Sequence, residues 1–197
     1  MPDIVRTMSG VWVFGYGSLV SPDSFGQTLG RRPEMGVDFF EAEISGYERR
    51  WNYGSMRFIG RALDQDGTIR EWVIVALGVT KAADQTVNGA IGWVSNDELV
   101  DLDLRESNYD RIDVTELATV TGGVEIADRI VTYVPRREAL ERFERARDRG
   151  EAAVERRYFD LVDRAFGDLG ADRRQRFHAT TRPPEIPILA LHREAAP

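Results

Sequence analysis

Two short segments of this sequence carry residues whose types and spacing suit chemistry: a glycine-framed loop near the start and a glutamate about half-way along. The loop lies within V-W-V-F-G-Y-G-S-L, Val11 to Leu19. Gly15 and Gly17 allow the backbone to turn tightly and to come close to a ligand. Tyr16, Gly17, Ser18 and Leu19 can then present backbone N–H groups to an anion. The glutamate is Glu106, which ends the stretch N-D-E-L-V-D-L-D-L-R-E. A carboxylate at the C-terminal end of a helix meets the negative end of the helix dipole, which disfavours its ionised form. In a dry site its proton affinity approaches what a general base needs. The plainer readings are an ordinary tight turn for the loop and a solvated glutamate at a helix end for Glu106.

Local signals say which elements must position these residues. Val11–Tyr16 reads as a buried strand, because aromatic and β-branched residues fit a packed, pleated surface. Ser21-Pro22-Asp23 follows as a hydroxyl N-cap, a proline at the first helical position and an acid in the first turn. Strand, loop and helix start therefore follow in sequence. Two familiar loop motifs are excluded: Val20 stands where a dinucleotide fingerprint needs its third glycine, and no P-loop lysine follows. A nucleophile elbow centred on Ser18 would need glycines where Tyr16 and Val20 stand. Further along, Ser95 and Glu98 form a capping box that starts a helix over Asn96–Arg105, with Leu99, Leu102 and Leu104 expected inward. Glu106 falls at the junction between this helix and a strand over Tyr109–Val120.

These segments resemble the gamma-glutamylcyclotransferase superfamily, its ChaC-like and AIG2-like members. The resemblance rests on Gly15-Tyr16-Gly17-Ser18-Leu19 and on Leu102-Asp103-Leu104-Arg105-Glu106. Ser45 to Trp51, S-G-Y-E-R-R-W, is similar to a G-Y-x-R segment that the ChaC-like branch carries between the two motifs. Val87 to Val94, V-N-G-A-I-G-W-V, resembles the strand before the acidic helix. Order and spacing agree from about Val11 to Val120. The resemblance implies cleavage of a gamma-glutamyl peptide or amine by attack of the substrate's own α-amine on its γ-carbonyl, releasing 5-oxoproline. It makes Glu106 the acid/base and has Tyr16, Gly17, Ser18 and Leu19 hold the gamma-glutamyl group. Tyr109 is either a substrate contact or a strand aromatic packing in the core. The chemistry calls for no protein nucleophile, no metal and no cofactor.

Two departures bear on the substrate. Ser107-Asn108 replaces a glycine pair of the ChaC-like branch, so glutathione specificity is not implied, and Tyr109 comes earlier than the family tyrosine. The leaving group is set by loops at the mouth of the pocket, Ser55 to Asp66 and Ser107 to Asp110. Two other readings stay open: a non-catalytic protein binding a gamma-glutamyl or other anionic metabolite, and a hydrolase or acyltransferase acting on a gamma-glutamyl-tagged intermediate.

Composition bounds the rest. The 197 residues include no cysteine, which removes disulfides and thiol catalysis. A formal charge of −7 argues against a nucleic-acid binder. The longest apolar run, Trp72 to Val79, is too short to span a bilayer, and the first ten residues do not read as a signal peptide. A cytoplasmic protein is expected, with no membrane or nucleic-acid partner; the oligomeric state is left open. Asp101 and Asp103 read as exposed charges, His178 and His192 as surface histidines, and Arg173 to Arg176 as a solvated helix face.

Strands are expected at Val11–Tyr16, Phe39–Tyr53 (bending at Gly46), Trp72–Val79, Val87–Val94, Tyr109–Val120 and Val124–Val134. Helices are expected at Pro22–Leu29, Asn96–Arg105, Arg136–Arg149 and Glu151–Phe166. With no regular βαβ alternation, the class is α+β. The resemblance adds a mixed, barrel-like sheet with flanking helices. The chain reads as one domain, 1–197, with a helical part over 136–170 and an extended tail over 178–197.

Overall fold

The computed structural model of the chain describes residues 9–63 and 67–196. Its frame is a long bent hairpin of β2 (Phe39–Leu63) and β3 (Ile69–Ser95), paired antiparallel along nearly their whole length. β1 (Gly10–Gly15) lies antiparallel to the C-terminal part of β3 and parallel to β6 (Ile130–Pro135). β4 (Tyr109–Asp113) flanks β6, and β5 (Ala118–Val120) flanks β2. The sheet order is β4-β6-β1-β3-β2-β5. At the other end of the hairpin, β7 (Ala152–Glu155) runs parallel to β3 and to β8 (Ile188–Leu189), and β9 (His192–Ala195) pairs with β2. Five helices flank this mixed sheet: α1 (Pro22–Leu29), α2 (Asn96–Arg105), α3 (Arg137–Asp148), α4 (Arg156–Asp168) and α5 (Ala171–Thr180). The α+β class and the mixed sheet are those expected.

The hairpin is longer than the sequence pattern suggests. The expected strands Trp72–Val79 and Val87–Val94 are two parts of one β3, joined through Thr80 to Thr86, where most side chains face solvent and the apolar signal vanishes. β2 bends as expected at Gly46, whose φ of 79° lies in the left-handed region, and the pairing register shifts between Ser45 and Tyr47.

Other expectations are corrected. The strand over Tyr109–Val120 breaks in two, because the Asp113 carboxylate accepts from both the backbone N–H and the hydroxyl of Thr115 and turns the chain. β6 begins at Ile130 rather than Val124. The helix over Glu151–Phe166 begins at Arg156: Ala152 to Glu155 are buried and paired on both sides, so sheet pairing overrides the helical propensity of two alanines. The tail over 178–197 is not simply extended, since α5 runs to Thr180 and β8 and β9 join the sheet. α5 escapes the pattern because Phe177 is its single buried side chain. On α2, Leu102 is fully buried and Leu99 packs against the core, but Leu104 is 66% exposed. Arg173, Arg174 and Arg176 pair with Glu41, Asp163 and Glu43, so that helix face is neutralised. No helix among the described residues is long and apolar enough to cross a membrane.

The core runs along β1, β2 and β3 and reaches α4 and α5 through Phe166 and Phe177, whose rings stack at 4.5 Å. Phe166 is fully buried. Phe166→Ala is expected to cost about 3–5 kcal/mol, read as a lower urea midpoint with an unchanged slope. A loss well under 1 kcal/mol would mean that α4 and α5 are not held by this stack.

Candidate active site

The glycine-framed loop leaves β1 at Gly15 and closes into a short 3-10 turn over Ser18–Val20. The Val20 N–H donates to the Gly17 carbonyl at 3.0 Å and the Ser21 N–H to the Ser18 carbonyl at 3.2 Å. Ser21 then caps α1, accepting from the Ser24 N–H. No larger residue fits at Gly17 without displacement, because a Cβ there would stand 2.8 Å from the Tyr158 hydroxyl.

Glu106 is the C-cap of α2, and its backbone N–H donates to the Leu102 carbonyl at 2.8 Å. The helix starts from the expected capping box, with Ser95 and Glu98 bonded reciprocally. Burial raises the Glu106 pKa above the ordinary carboxylate range, against the opposing charges of Arg105 and Arg57. Arg105 Nε lies 3.1 Å from the carboxylate. The rest of that guanidinium bonds the Ser24 carbonyl, the Thr28 hydroxyl and, at 3.1 Å, the Ser18 hydroxyl. One arginine therefore ties the glutamate to the loop and to α1.

All six residues singled out in the sequence meet at one chamber. Tyr16, Gly17, Ser18, Leu19, Glu106 and Tyr109 line a space of about 40 Å³, with Phe14, Gly15, Leu77, Tyr133 and Tyr158 completing its wall. Ser18, Glu106, Tyr109 and Tyr158 also border an outer cleft of about 560 Å³. Glu106 thus stands where the chamber opens into the cleft. The Tyr16 hydroxyl is committed to the Tyr133 carbonyl at 2.7 Å, so its side chain is structural. Tyr109 stacks on Tyr53 at 4.4 Å and its hydroxyl reaches the Leu77 carbonyl at 3.4 Å. It packs against the core and borders the chamber at once. Burial pushes the Tyr109 phenol well above its ordinary range and the Tyr158 phenol up to about 12. Both hydroxyls are therefore protonated donors at neutral pH.

Several contributors carry no mark in the sequence. Tyr158 sits in a helical stretch whose spacing marks nothing, and Arg105, though part of the L-D-L-R-E segment, shows no sign there of its bonds to Ser18, Ser24 and Thr28. Asp103, expected to be an exposed charge, accepts from the Tyr133 hydroxyl at 2.8 Å and pairs with Arg111. Arg49 has a signal, since it is the arginine of the G-Y-x-R segment. It is fully buried, donates to the Tyr16 carbonyl at 3.1 Å and to both oxygens of Asn88 at 2.8 Å, and bonds the Thr181 hydroxyl at 2.7 Å. Burial lowers its pKa to about 9, so it remains charged at neutral pH. His178 pairs with Asp163 and His192 lies near Glu194; neither lines the chamber. Of the expected mouth loops, Ser55, Arg57 and Tyr109 line the cleft, and 64–66 fall outside the described residues. No group of three or more His, Asp or Glu side chains suited to a metal ion occurs among the described residues.

Solved structures resemble this arrangement of elements. A structure named gamma-glutamyl cyclotransferase matches over 90% of both chains with a TM-score of 0.53 and 14% identity. The chain has the gamma-glutamylcyclotransferase fold. The human protein loc79017 matches over 90% of both chains, with a TM-score of 0.54 and 16% identity. YkqA from Bacillus subtilis matches over 86% of this chain and 53% of its own, with a TM-score of 0.54 and 16% identity. No protein-family model and no curated protein sequence matches the chain.

The raised pKa of Glu106 has a consequence for stability. A carboxyl whose folded pKa lies above its unfolded value contributes stability below the unfolded pKa, and that contribution is lost as pH rises through the folded pKa. Near neutral pH the buried charge therefore weakens this cyclotransferase fold. Glu106→Gln should melt at a higher temperature than wild type there, with the gap closing on acidification below the carboxylate range. A lower melting temperature at neutral pH would mean that the pairing with Arg105 outweighs burial. Gly17→Val, in turn, should lower the melting temperature, since its Cβ would stand 2.8 Å from the Tyr158 hydroxyl; an unchanged melting temperature would mean that the loop or Tyr158 yields freely.

Proposed function

We propose that this chain is a gamma-glutamyl cyclotransferase that closes the ring of a gamma-glutamyl amide to 5-oxoproline and frees the amine held in that amide. The observation that carries the reading is Glu106: a buried carboxylate of raised pKa at the opening between a loop-walled chamber and an open cleft. The fold shared with a structure named gamma-glutamyl cyclotransferase supports it.

The gamma-glutamyl group lies against Tyr16, Gly17, Ser18 and Leu19, held by backbone N–H groups. Its α-ammonium must lose a proton before the nitrogen can attack. The Glu106 carboxylate takes that proton, and the amine adds to the γ-carbonyl carbon. The Tyr158 hydroxyl accepts from the Leu77 N–H and keeps its own hydrogen, which it donates to the carbonyl oxygen as negative charge develops there. The amide C–N bond then breaks as Glu106 returns its proton to the departing nitrogen, and the ring nitrogen gives its second proton, by way of the same carboxylate, to the freed amine, which leaves as an ammonium. Two protons thus pass from the α-ammonium to the leaving nitrogen, and no water is consumed. Ring closure is intramolecular, so holding the substrate in the folded-back conformer supplies much of the acceleration.

Glu106→Gln keeps the shape and removes the proton transfer. It should lower 5-oxoproline release from gamma-glutamyl dipeptides by ~100- to 10,000-fold while leaving binding largely intact. In wild type, kcat/KM should fall as pH drops through an acid limb above the ordinary carboxylate range, since only the ionised carboxylate is a base. Near-wild-type turnover in the variant would overturn the role of Glu106. Binding without 5-oxoproline release by folded wild type would favour a non-catalytic binding protein.

A further inference from the structure

Away from Glu106, the segment that joins α5 to β8 crosses the fold as a strap, R-P-P-E-I-P over Arg182 to Pro187. Its three prolines fix its course and leave it few N–H donors. The strap does not lie flat on what it covers. On one side it borders a space of about 290 Å³ against α3, and on the other a hollow of about 320 Å³ against α4 and α5. The Trp51 side chain lines both. The hollow shares no lining residue with the chamber or the outer cleft. Its walls are apolar and flat. Trp51 and Phe159 stack at 5.5 Å with their planes 23° apart, and Phe177, Ile186 and Ile188 close the sides. Phe159, Ile186 and Ile188 are only partly buried, so apolar surface stays within reach of a ligand. The rim carries one sign of charge. Arg182 is exposed and forms no salt bridge or hydrogen bond among the described residues. No acidic residue lines the hollow. Asp163, which pairs with His178 at the rim, is shared with Arg174, and Glu185 borders the space on the other side of the strap, beside Arg147.

The geometry points to a second binding site here, for a small, flat aromatic carboxylate whose ring lies against Trp51 and Phe159 and whose carboxylate meets Arg182. A hollow of this volume, mostly apolar with one polar anchor, takes a single small ring system. The unpaired guanidinium tells an acid from a neutral molecule of the same shape. The site stands apart from the cyclotransferase reading, since none of its residues lines the chamber. It nevertheless backs onto the groups that hold the glycine-framed loop. Thr181, on its wall, accepts from Arg49 Nε at 2.7 Å, and the Phe177 ring centre lies 4.5 Å from the same guanidinium. Phe159 directly follows Tyr158, which lines the chamber. An occupant of the hollow therefore braces these residues and raises the melting temperature.

Indole-3-acetate and indole-3-acetamide test it, since they share a ring and differ in charge. In calorimetry at low salt the acetate should bind wild type about tenfold more tightly or better, the worth of one charged hydrogen bond. Arg182→Gln, at an exposed position, should remove most of that ratio. Arg182→Lys should keep most of it, and added salt should shrink it in wild type. The place of binding is read separately, from the side-chain N–H resonances of the four tryptophans. The Trp51 resonance, identified by its loss in Trp51→Phe, should move most as the acetate is added. Arg57→Gln, in the outer cleft, should leave the affinity for the acetate unchanged. Equal affinity for the two compounds, a preference that survives Arg182→Gln, a Trp51 resonance that stays in place, or no binding of either compound would each overturn the site. All of these outcomes leave the ring-closing chemistry standing.

Discussion

A buried positive charge with no carboxylate beside it among the described residues is the constraint on which the site depends. The Arg49 guanidinium lies against the stacked rings of Phe166 and Phe177, at 4.8 and 4.5 Å from their centres, and its donors go to carbonyl and side-chain oxygens. An ion in such a place costs several kcal/mol unless its hydrogen bonds are met. Meeting them draws four distant pieces of chain together: β2, which carries Arg49; β3 at Asn88; the loop at Tyr16; and the end of α5 at Thr180 and Thr181. The carbonyl of Tyr16 is thereby tied to the guanidinium in the core, while the same residue borders the chamber. The faces of the two aromatic rings supply part of what a counter-ion would.

A second arginine plays the corresponding part nearer the chemistry. Arg105 bonds the loop at Ser18 and α1 at Ser24 and Thr28, and it stands beside Glu106. The two arginines grip the loop from different sides. Arg49 fixes its backbone from within the core, and Arg105 fixes its side chains against the carboxylate. The proton affinity of Glu106 is a balance, with burial pushing it up and Arg105 and Arg57 pulling it down. A drier site would hold the group protonated, and a more cationic one would hold it ionised.

What the sequence discloses and what it hides follow from the range of the interactions involved. The loop, the cap at Ser95 and the place of Glu106 at the end of α2 depend on neighbours a few residues away, and each can be read from spacing. Arg49 bonds partners 33, 39 and 132 positions distant, and Arg105 bonds Ser18 at 87. No local pattern records such contacts. Tyr158 looks like any aromatic on an amphipathic helix until Leu77, 81 residues before it, is set against its hydroxyl. The elements that escape the pattern do so for the same reason. Ala152 to Glu155 are a strand only because β3 and β8 lie on either side, and the middle of β3 loses its alternation where it leaves the core. Asp103 reads as idle because Tyr133, which it orients, follows 30 positions later.

β7 and α4 are consecutive, with Glu155 ending one and Arg156 opening the other. β7 is hydrogen-bonded to β3 at Val73 to Val75, and the next residues of β3 bring Ala76 to the cleft and Leu77 to the chamber. The floor of the cleft and the wall bearing Arg157 and Tyr158 are thus parts of one sheet and its direct continuation, with no joint between them among the described residues. The distance between that floor and that wall is therefore set by the hydrogen bonds between β7 and β3, and the width of the cleft on this side is a property of the sheet rather than of a loop.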